Sequence, residues 1–128
     1  MKESFFRLRS QFTEEIIFKK NSDFKDRKIN LKVSHKLEIK NIDETSSSVK
    51  LTFNIFTEEE LEVSPFFISI TQLGEFQYPS DLDKTDLENL LNINAPAVLL
   101  SYIRGLVSQI TAFSGYPALI IPLMNFAK

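Results

Sequence analysis

The sequence predicts an α+β fold, in which four strand segments are followed by a short helix and one long helix. Apolar residues recur at every second position through the first two-thirds of the chain, and at every third or fourth position after Tyr78 and Pro79. A period of two is typical of strands and a period near 3.6 of helices. The length of 128 residues predicts one domain over residues 1–128, because two halves would each have a marginal core.

The first two strand segments differ in how strictly they alternate. In the run from Phe5 to Phe18 the apolar phase holds as far as Phe12, and the triplet 16–18 then breaks it, which indicates a bulge or a change of partner. In the run from Ile29 to Ile39 every odd position is apolar except His35, and every even position is polar. This alternation predicts a strand with one buried and one wet face.

Turn-forming and acidic segments separate the remaining strands. The segment from Asn41 to Ser48 has turn chemistry, and alternation resumes from Val49 to Ile55. The acidic run from Glu58 to Glu62 predicts a solvated hairpin tip. The last strand, from Phe66 to Phe76, begins with apolar residues on both faces, so we expect packing on each side of it.

Two helices and an extended segment follow. Asp83 begins a short helix, and Pro96 opens a second, because proline costs no hydrogen bond in a first helical turn. The second helix ends at Ser114 and Gly115, and the proline-punctuated segment from Tyr116 to Phe126 is expected to lie extended over a surface. The helix carries an apolar stripe formed by Leu99, Tyr102, Ile103, Leu106, Ile110 and Phe113.

Charge is almost absent from the last quarter of the chain. From Ala95 to Phe126 the only charged residue is Arg104. A small domain normally has a wet face on every element, because its surface is large relative to its volume. We therefore expect a partner subunit to cover much of this segment. The alternatives are that it stays exposed as an apolar surface or that it is buried in the core of its own subunit.

The residues that catalysis or metal binding requires are scarce. There is no cysteine, so disulfides, thiolate metal sites and cysteine nucleophiles are excluded. The only histidine, His35, has no second histidine for a metal site and is expected to be a packing or interface residue. The three glycines are too scattered for a phosphate loop. We expect no enzyme, no catalytic residue, no metal and no cofactor.

Other classes of partner are also disfavoured. The N-terminal excess of basic residues is too small for nucleic-acid binding. No apolar stretch approaches the roughly 18 residues of a membrane span, and charges interrupt the first 12 residues where a signal peptide would be apolar, so we expect a cytoplasmic protein without membrane insertion. Twelve Phe and three Tyr, with the uncharged C-terminal segment, favour oligomerisation, binding of apolar segments from other chains, or both.

Two C-terminal segments carry a resemblance to a known family. The run from Asn94 to Arg104 reads NAPAVLLSYIR, and it is followed by GYPAL from Gly115 and by MNF ending at Phe126. This order is similar to the C-terminal signature of the protein-export chaperone SecB family. Upstream, Gly74 and Phe76 match the family's glycine-glycine-x-phenylalanine strand, and the segment 12–18 is similar to its first strand.

The resemblance implies a four-stranded antiparallel sheet followed by helix, and a homotetramer built as a dimer of dimers. It implies ATP-independent holding of unfolded preproteins in apolar grooves, in readiness for the export motor SecA. In such an assembly the apolar stripe of the long helix would form the oligomer interface, and Glu15 would face SecA. The residues that the resemblance assigns to the groove are Phe24, Tyr116, Leu119, Ile121 and Leu123.

Three departures from the family pattern bear on partners. The chain is nearly neutral where typical members are strongly acidic, and Lys19 and Ser69 replace expected acids on the SecA-facing surface. It ends two residues after Phe126, where the family continues into a second helix and a tail that contacts SecA. We therefore expect weakened SecA docking. A SecB-like chaperone guarding an antitoxin and a plain oligomerisation module stay open as alternatives.

Overall fold

The computed structural model describes residues 5–25 and 30–127 and confirms the predicted fold class. Four strands form one antiparallel sheet in the order β1-β4-β3-β2, and a helical region follows. The predicted start of the second strand at Ile29 lies outside the described residues. The elements are β1 (Arg7–Lys20), β2 (Val33–Asp43), β3 (Ser46–Ile55), β4 (Phe66–Gln77), α1 (Lys84–Asn89) and α2 (Ala95–Phe113).

Two irregularities divide β1 between the faces of the sheet. The register against β4 shifts between Leu8 and Ser10 and again between Thr13 and Glu15. Each extra residue reverses the alternation, so Leu8 packs inward while Phe12 turns outward and is exposed. The predicted bulge is therefore present, but it comes earlier than the break at 16–18, and Phe12 does not share a face with Leu8.

The hairpin between β2 and β3 is tighter than the turn chemistry of residues 41–48 indicates. β2 runs to Asp43 and β3 begins at Ser46. Asp43 Oδ1 accepts hydrogen bonds from the Thr45 N–H at 2.8 Å and from Ser46 Oγ at 2.9 Å, which closes the turn. Ser47 is buried in the strand with its hydroxyl 2.7 Å from Tyr78 Oη, so part of the predicted turn is strand.

These hydrogen bonds determine the direction in which the pKa of the Asp43 carboxyl is shifted. The Thr45 N–H, followed by the Ser46 hydroxyl, lowers the pKa of Asp43 below its usual 3.8. A lowered pKa contributes stability that is present above pH 3.8 and is lost as the pH falls through the folded-state value. We expect a carboxyl NMR titration of Asp43 to have its midpoint below 3.8. A midpoint at or above 3.8 would contradict the bonding described here.

The core lies between α2 and the face of the sheet that we call the inner face. Val49, Leu51, Phe53 and Ile55 of β3 alternate inward and are fully buried, together with Leu99, Ile103 and Val107 of α2. α2 packs on β3 and β4, and it has few contacts with β2.

The helical run Lys84–Phe113, which includes a π-helical stretch at Leu90–Asn94, is long and apolar enough to cross a membrane by length and composition. Here its buried side chains pack on the sheet.

Close approach of α2 to β4 depends on Gly74. A Cβ added at this position would lie 2.9 Å from Leu99 Cδ2 and 3.0 Å from side-chain atoms of Leu8 and Phe76. We expect Gly74→Val to lower the free energy of unfolding by about 1–3 kcal/mol through overpacking, as measured by urea denaturation. Gly74→Ala, which adds the Cβ alone, is expected to lose less stability than Gly74→Val. A Gly74→Val protein as stable as the unaltered protein would contradict this explanation.

The predicted start at Asp83 and end at Ser114 are confirmed, but the predicted division into two separate helices is wrong. Leu90, Asn94 and Ala95 all have helical backbone angles, so the π-helical stretch joins α1 to α2 and Pro96 lies inside one continuous helical run. Asp83 caps α1 by accepting a hydrogen bond from the Thr85 N–H at 3.1 Å, and a proline occupies the first turn of α2. α2 ends at Ser114, and Gly115 follows at a φ of 93°, a conformation that favours glycine. The segment from Tyr116 to Phe126, which we call the strap, has no regular secondary structure through residue 125 and runs back along α2.

Candidate functional site

An uncovered apolar surface lies on the inner side of β2. The inner-face residues of β2 pair with the buried core residues of β3, yet α2 does not extend over them. Val33 is 42% exposed and Ile39 is 38% exposed, although both belong to the apolar face of the strand. The strap reaches this surface at its end, where the Phe126 ring meets the His35 ring edge-on at 5.1 Å. We call this surface the β2 groove; it consists of Val33, His35, Leu37, Ile39 and Phe126.

The backbone beside the groove is also open. β2 is an edge strand in the sheet that the structure describes, so one side of its peptide groups has no strand partner. Edge strands accept additional strands readily unless charges or proline protect them. The charged residues of β2 at even positions point to the other face, which we call the outer face. An extended peptide could therefore meet free backbone groups and apolar side chains together.

A second uncovered surface runs along α2. We call it the outer stripe; its residues follow one another at steps of three and four and are all exposed. Beside it a groove of about 290 Å³ separates α2 from β1, and amide side chains of Gln11, Gln72 and Gln109 line this groove. Gln72 accepts a hydrogen bond from Thr13 at 2.6 Å and donates one to Gln11. The outer stripe consists of Val98, Tyr102, Gly105, Gln109 and Phe113.

The strap begins at an anchored tyrosine. Tyr116 Oη donates a hydrogen bond to the carbonyl of Pro65 at 2.9 Å, and the ring packs against Phe66 with centroids 5.4 Å apart. Burial raises the pKa of Tyr116 above its usual 10.0. Lys20 Nζ lies 5.0 Å from the tyrosine ring centroid and donates to the carbonyl of Ser114 at 2.7 Å, at the C-terminus of α2.

The predicted groove residues fall into different environments. Phe24 is half-buried in the loop after β1, and Tyr116 and Leu119 are half-buried against their own subunit. Ile121 is 1% exposed and belongs to the core, whereas Leu123 is 84% exposed. In this arrangement Leu123 alone of these five presents most of its side chain to a partner. The assignment of these residues to a groove stays a prediction.

The predicted interface residues divide in the same way. Leu99 and Ile103 are fully buried against the sheet of their own subunit, and Leu106 and Ile110 are half-buried. Tyr102 is exposed and Phe113 is 87% exposed. The surface available to a second subunit is therefore the outer stripe, which is displaced around the helix from the predicted apolar stripe.

The SecA-facing residue of the sequence prediction lies on the outer face of the sheet. Glu15 pairs with Thr71 in the register of β1 and β4, and Ser69 and Lys19 lie on the same face. Lys19 forms an ion pair with Glu58, which lies in the acidic loop after β3. Glu14 pairs with Lys50 at 3.3 Å across the sheet. Among the residues that the structure describes, this outer face therefore carries charges of both signs around Glu15.

Sequence reasoning missed two features of the site. The inner-face residues of β2, among them Val33 and Ile39, were expected to be buried, because the alternation alone does not indicate how far a helix extends. Gly105 was treated only as a scattered glycine. Its position between Tyr102 and Gln109, on a helix whose only charged residue is Arg104, was the available signal for a small residue at a contact point.

The site contains groups for binding and few for chemistry. Among residues 5–25 and 30–127, no three His, Asp or Glu side chains lie close enough together to hold a metal ion. His35 is exposed beside an aromatic ring and an apolar strand face. What the arrangement supplies is apolar area, free strand backbone and neutral hydrogen-bonding side chains, which suits an extended polypeptide.

The comparisons with known proteins cover most of the chain. The family model described as preprotein translocase subunit SecB matches residues 2–128. Protein-export protein SecB of Anaplasma phagocytophilum is 32% identical over 82 residues, which cover 62% of this chain and 51% of that protein. The uncharacterised protein MJ0357 of Methanocaldococcus jannaschii is 32% identical over 108 residues, 80% of this chain and 67% of that protein. The chain spans about half the length of the SecB proteins that it matches.

A solved structure has the same fold. It is the Mycobacterium tuberculosis Rv1957 SecB-like chaperone in complex with a ChAD peptide from the Rv1956 HigA1 antitoxin. The TM-score is 0.71, and the match covers 95% of this chain and 89% of that one. Sequence identity is 12%, so this likeness concerns the fold alone.

Proposed function

Because the chain belongs to the SecB family, we propose that it is an ATP-independent chaperone that holds non-native polypeptides, its clients, in the β2 groove. The observation that carries this proposal is the exposure of Val33 and Ile39 on the core-facing side of an edge strand. A strand in which apolar and polar residues alternate as strictly as in β2 normally has its apolar face covered. A client segment would supply the missing cover.

The energetics of the groove suit weak, sequence-tolerant binding. Each apolar client side chain buried there would contribute about 1.5–3 kcal/mol before ordering costs. Main-chain hydrogen bonds to β2 would add affinity without selecting a sequence. Several such contacts are sufficient to hold an unfolded chain, and no nucleotide or catalytic residue is required.

We infer that the functional unit is an assembly, with a homotetramer as the expected state. The outer stripe of α2 is uncharged, and it has a glycine where a second helix could approach closely. Phe113, which is 87% exposed at the end of this stripe, would be covered in such a contact. β1, the other edge strand, offers a second surface for a neighbouring copy. We expect this assembly to work in the cytoplasm.

The client class divides the proposal into two candidates. Export of preproteins is supported by the relatives named protein-export protein SecB. Guarding of an antitoxin is favoured by the neighbour of the same fold that holds an antitoxin peptide. We expect binding to SecA to be weak, because Lys19 and Ser69 accompany Glu15 on the outer face. Nanomolar affinity for SecA would favour the export function.

The proposed activity is tested by light scattering. An aggregating, chemically denatured enzyme is diluted into buffer with a stoichiometric amount of the intact protein and no nucleotide. We expect aggregation to be suppressed, because the groove binds exposed apolar segments. The matched reference is an equal mass of an inert soluble protein. No suppression beyond that reference would favour a plain oligomerisation module.

A further inference from the structure

The strap is attached to α2 through its backbone. Arg104 Nε donates a hydrogen bond to the carbonyl of Ile121 at 2.6 Å, and Ser108 Oγ donates to the carbonyl of Leu119 at 2.9 Å. The N–H of Leu119 donates to Thr111 Oγ1 at 2.8 Å. No strap side chain takes part in these three bonds. We call Arg104, Ser108 and Thr111 the ladder; their spacing of four and three residues places them on one side of the helix.

The ladder recognises the conformation of a chain and not its sequence. Carbonyls two residues apart point to the same side of an extended chain, as those of Leu119 and Ile121 do here. Any extended segment with this spacing could accept the same bonds. Thr111 is fully buried and also donates to the Val107 carbonyl at 2.8 Å, so its oxygen is held ready for an incoming N–H.

Only part of the strap is buried in the core. Ile121 is the strap residue with its side chain fully buried, whereas Ile120 and Leu123 are exposed. The described residues of the strap form one backbone–backbone hydrogen bond, which the Tyr116 N–H donates to the Thr111 carbonyl at 3.1 Å. The contacts to Pro65 and Phe66 fix Tyr116, so the segment from Pro117 onward could separate while Tyr116 stays in place.

From these contacts we propose that the ladder is a binding site for extended polypeptide backbone, that the strap is its resident occupant, and that a client segment replaces the strap there. The ligand class is an extended, uncharged segment with an apolar side chain where Ile121 now lies. This proposal rests on the proposed client binding and extends the β2 groove across the inner face to α2. The strap then acts as an exchangeable cover and not as a fixed wall.

Thiol labelling tests the exchange directly, because the chain has no cysteine of its own. Ile121→Cys introduces one buried thiol, and Val107→Cys introduces another in the core face of α2. Each variant is labelled with a chromogenic disulfide reagent, with and without a saturating reduced and carboxymethylated protein as client. We expect client to accelerate labelling of Ile121→Cys at least roughly tenfold while Val107→Cys stays protected.

The outcomes separate the two proposals, since client binding is measured by fluorescence anisotropy in the same samples. If client binds and labelling of Ile121→Cys is unchanged or slower, the strap is a fixed wall and the exchange is overturned, while the proposed function stands. If no client binds, both fall. Acceleration in Val107→Cys as well would indicate general opening and would also overturn the exchange.

A second variant avoids any dependence on a core substitution. Leu123 is exposed, so a spin label attached to Leu123→Cys should not disturb folding. We expect the label to become more mobile when client binds, because the strap leaves α2. Unchanged or reduced mobility in samples with bound client would overturn the exchange independently of Ile121.

Discussion

Gly105→Arg is expected to separate the assembly into single subunits that remain folded. Nothing lies within 4 Å of a Cβ at this position, and arginine ranks just below alanine in helix propensity, whereas glycine in a helix interior is less favourable than alanine by about 0.8–1 kcal/mol. The variant subunit should therefore be as stable as the original or slightly more so. At the centre of the outer stripe, however, a charged side chain would be forced into a helix–helix contact, where burying an unpaired charge costs several kcal/mol.

Mass and stability must be measured together for this variant. Light scattering after size exclusion should give an assembled mass for the unaltered protein and the 14.8 kDa chain mass for Gly105→Arg. Gly105→Ala, which adds one methyl group, is the matched control for helix propensity, and circular dichroism reports on folding. A Gly105→Arg protein that keeps the assembled mass would show that the outer stripe is not the interface.

The double change Val33→Asp and Ile39→Asp is expected to abolish most client binding. Both side chains lie on the inner side of β2 and are partly exposed, so aspartate can be solvated there without filling the core. Two lost apolar contacts are worth about 3 kcal/mol or more, which corresponds to a roughly hundredfold weaker affinity. Fluorescence anisotropy with a labelled unfolded protein measures this change.

A variant with the same change in charge serves as the control for this experiment. Ser34→Asp with Lys40→Gln also lowers the net charge by two, but both positions lie on the outer face of β2. We expect this control to bind client within roughly threefold of the unaltered protein, because screened surface charges contribute little. If both variants lost the same affinity for client, the effect would be due to charge, and the β2 groove would not be the binding site.

The sequence predicts the fold well where a local signal decides the structure. The alternation from Val49 to Ile55 and the cap at Asp83 specify β3 and the start of α1 without reference to other elements. The bulges of β1 are different, because an extra residue is recognised only against the partner strand. Phe12 was therefore expected on the same face as Leu8 and lies on the other.

The candidate site is harder to predict than the fold. Which apolar residues stay uncovered depends on how far α2 and the strap extend across the sheet, and this is a property of packing. Leu99 was expected at the oligomer interface and Ile121 in the client groove, yet the side chains of both are buried in their own subunit. Val33 has the sequence character of a core residue and is exposed, because β2 lies beyond the reach of α2.

The central claim is that several copies of this chain assemble through α2 and leave the β2 groove open for non-native polypeptide. Native mass spectrometry of the purified protein, alone and mixed with a reduced and carboxymethylated protein, tests it most directly. We predict four times the 14.8 kDa chain mass alone, and that mass plus one client chain in the mixture. A single 14.8 kDa species that acquires no client in the mixture would contradict the claim.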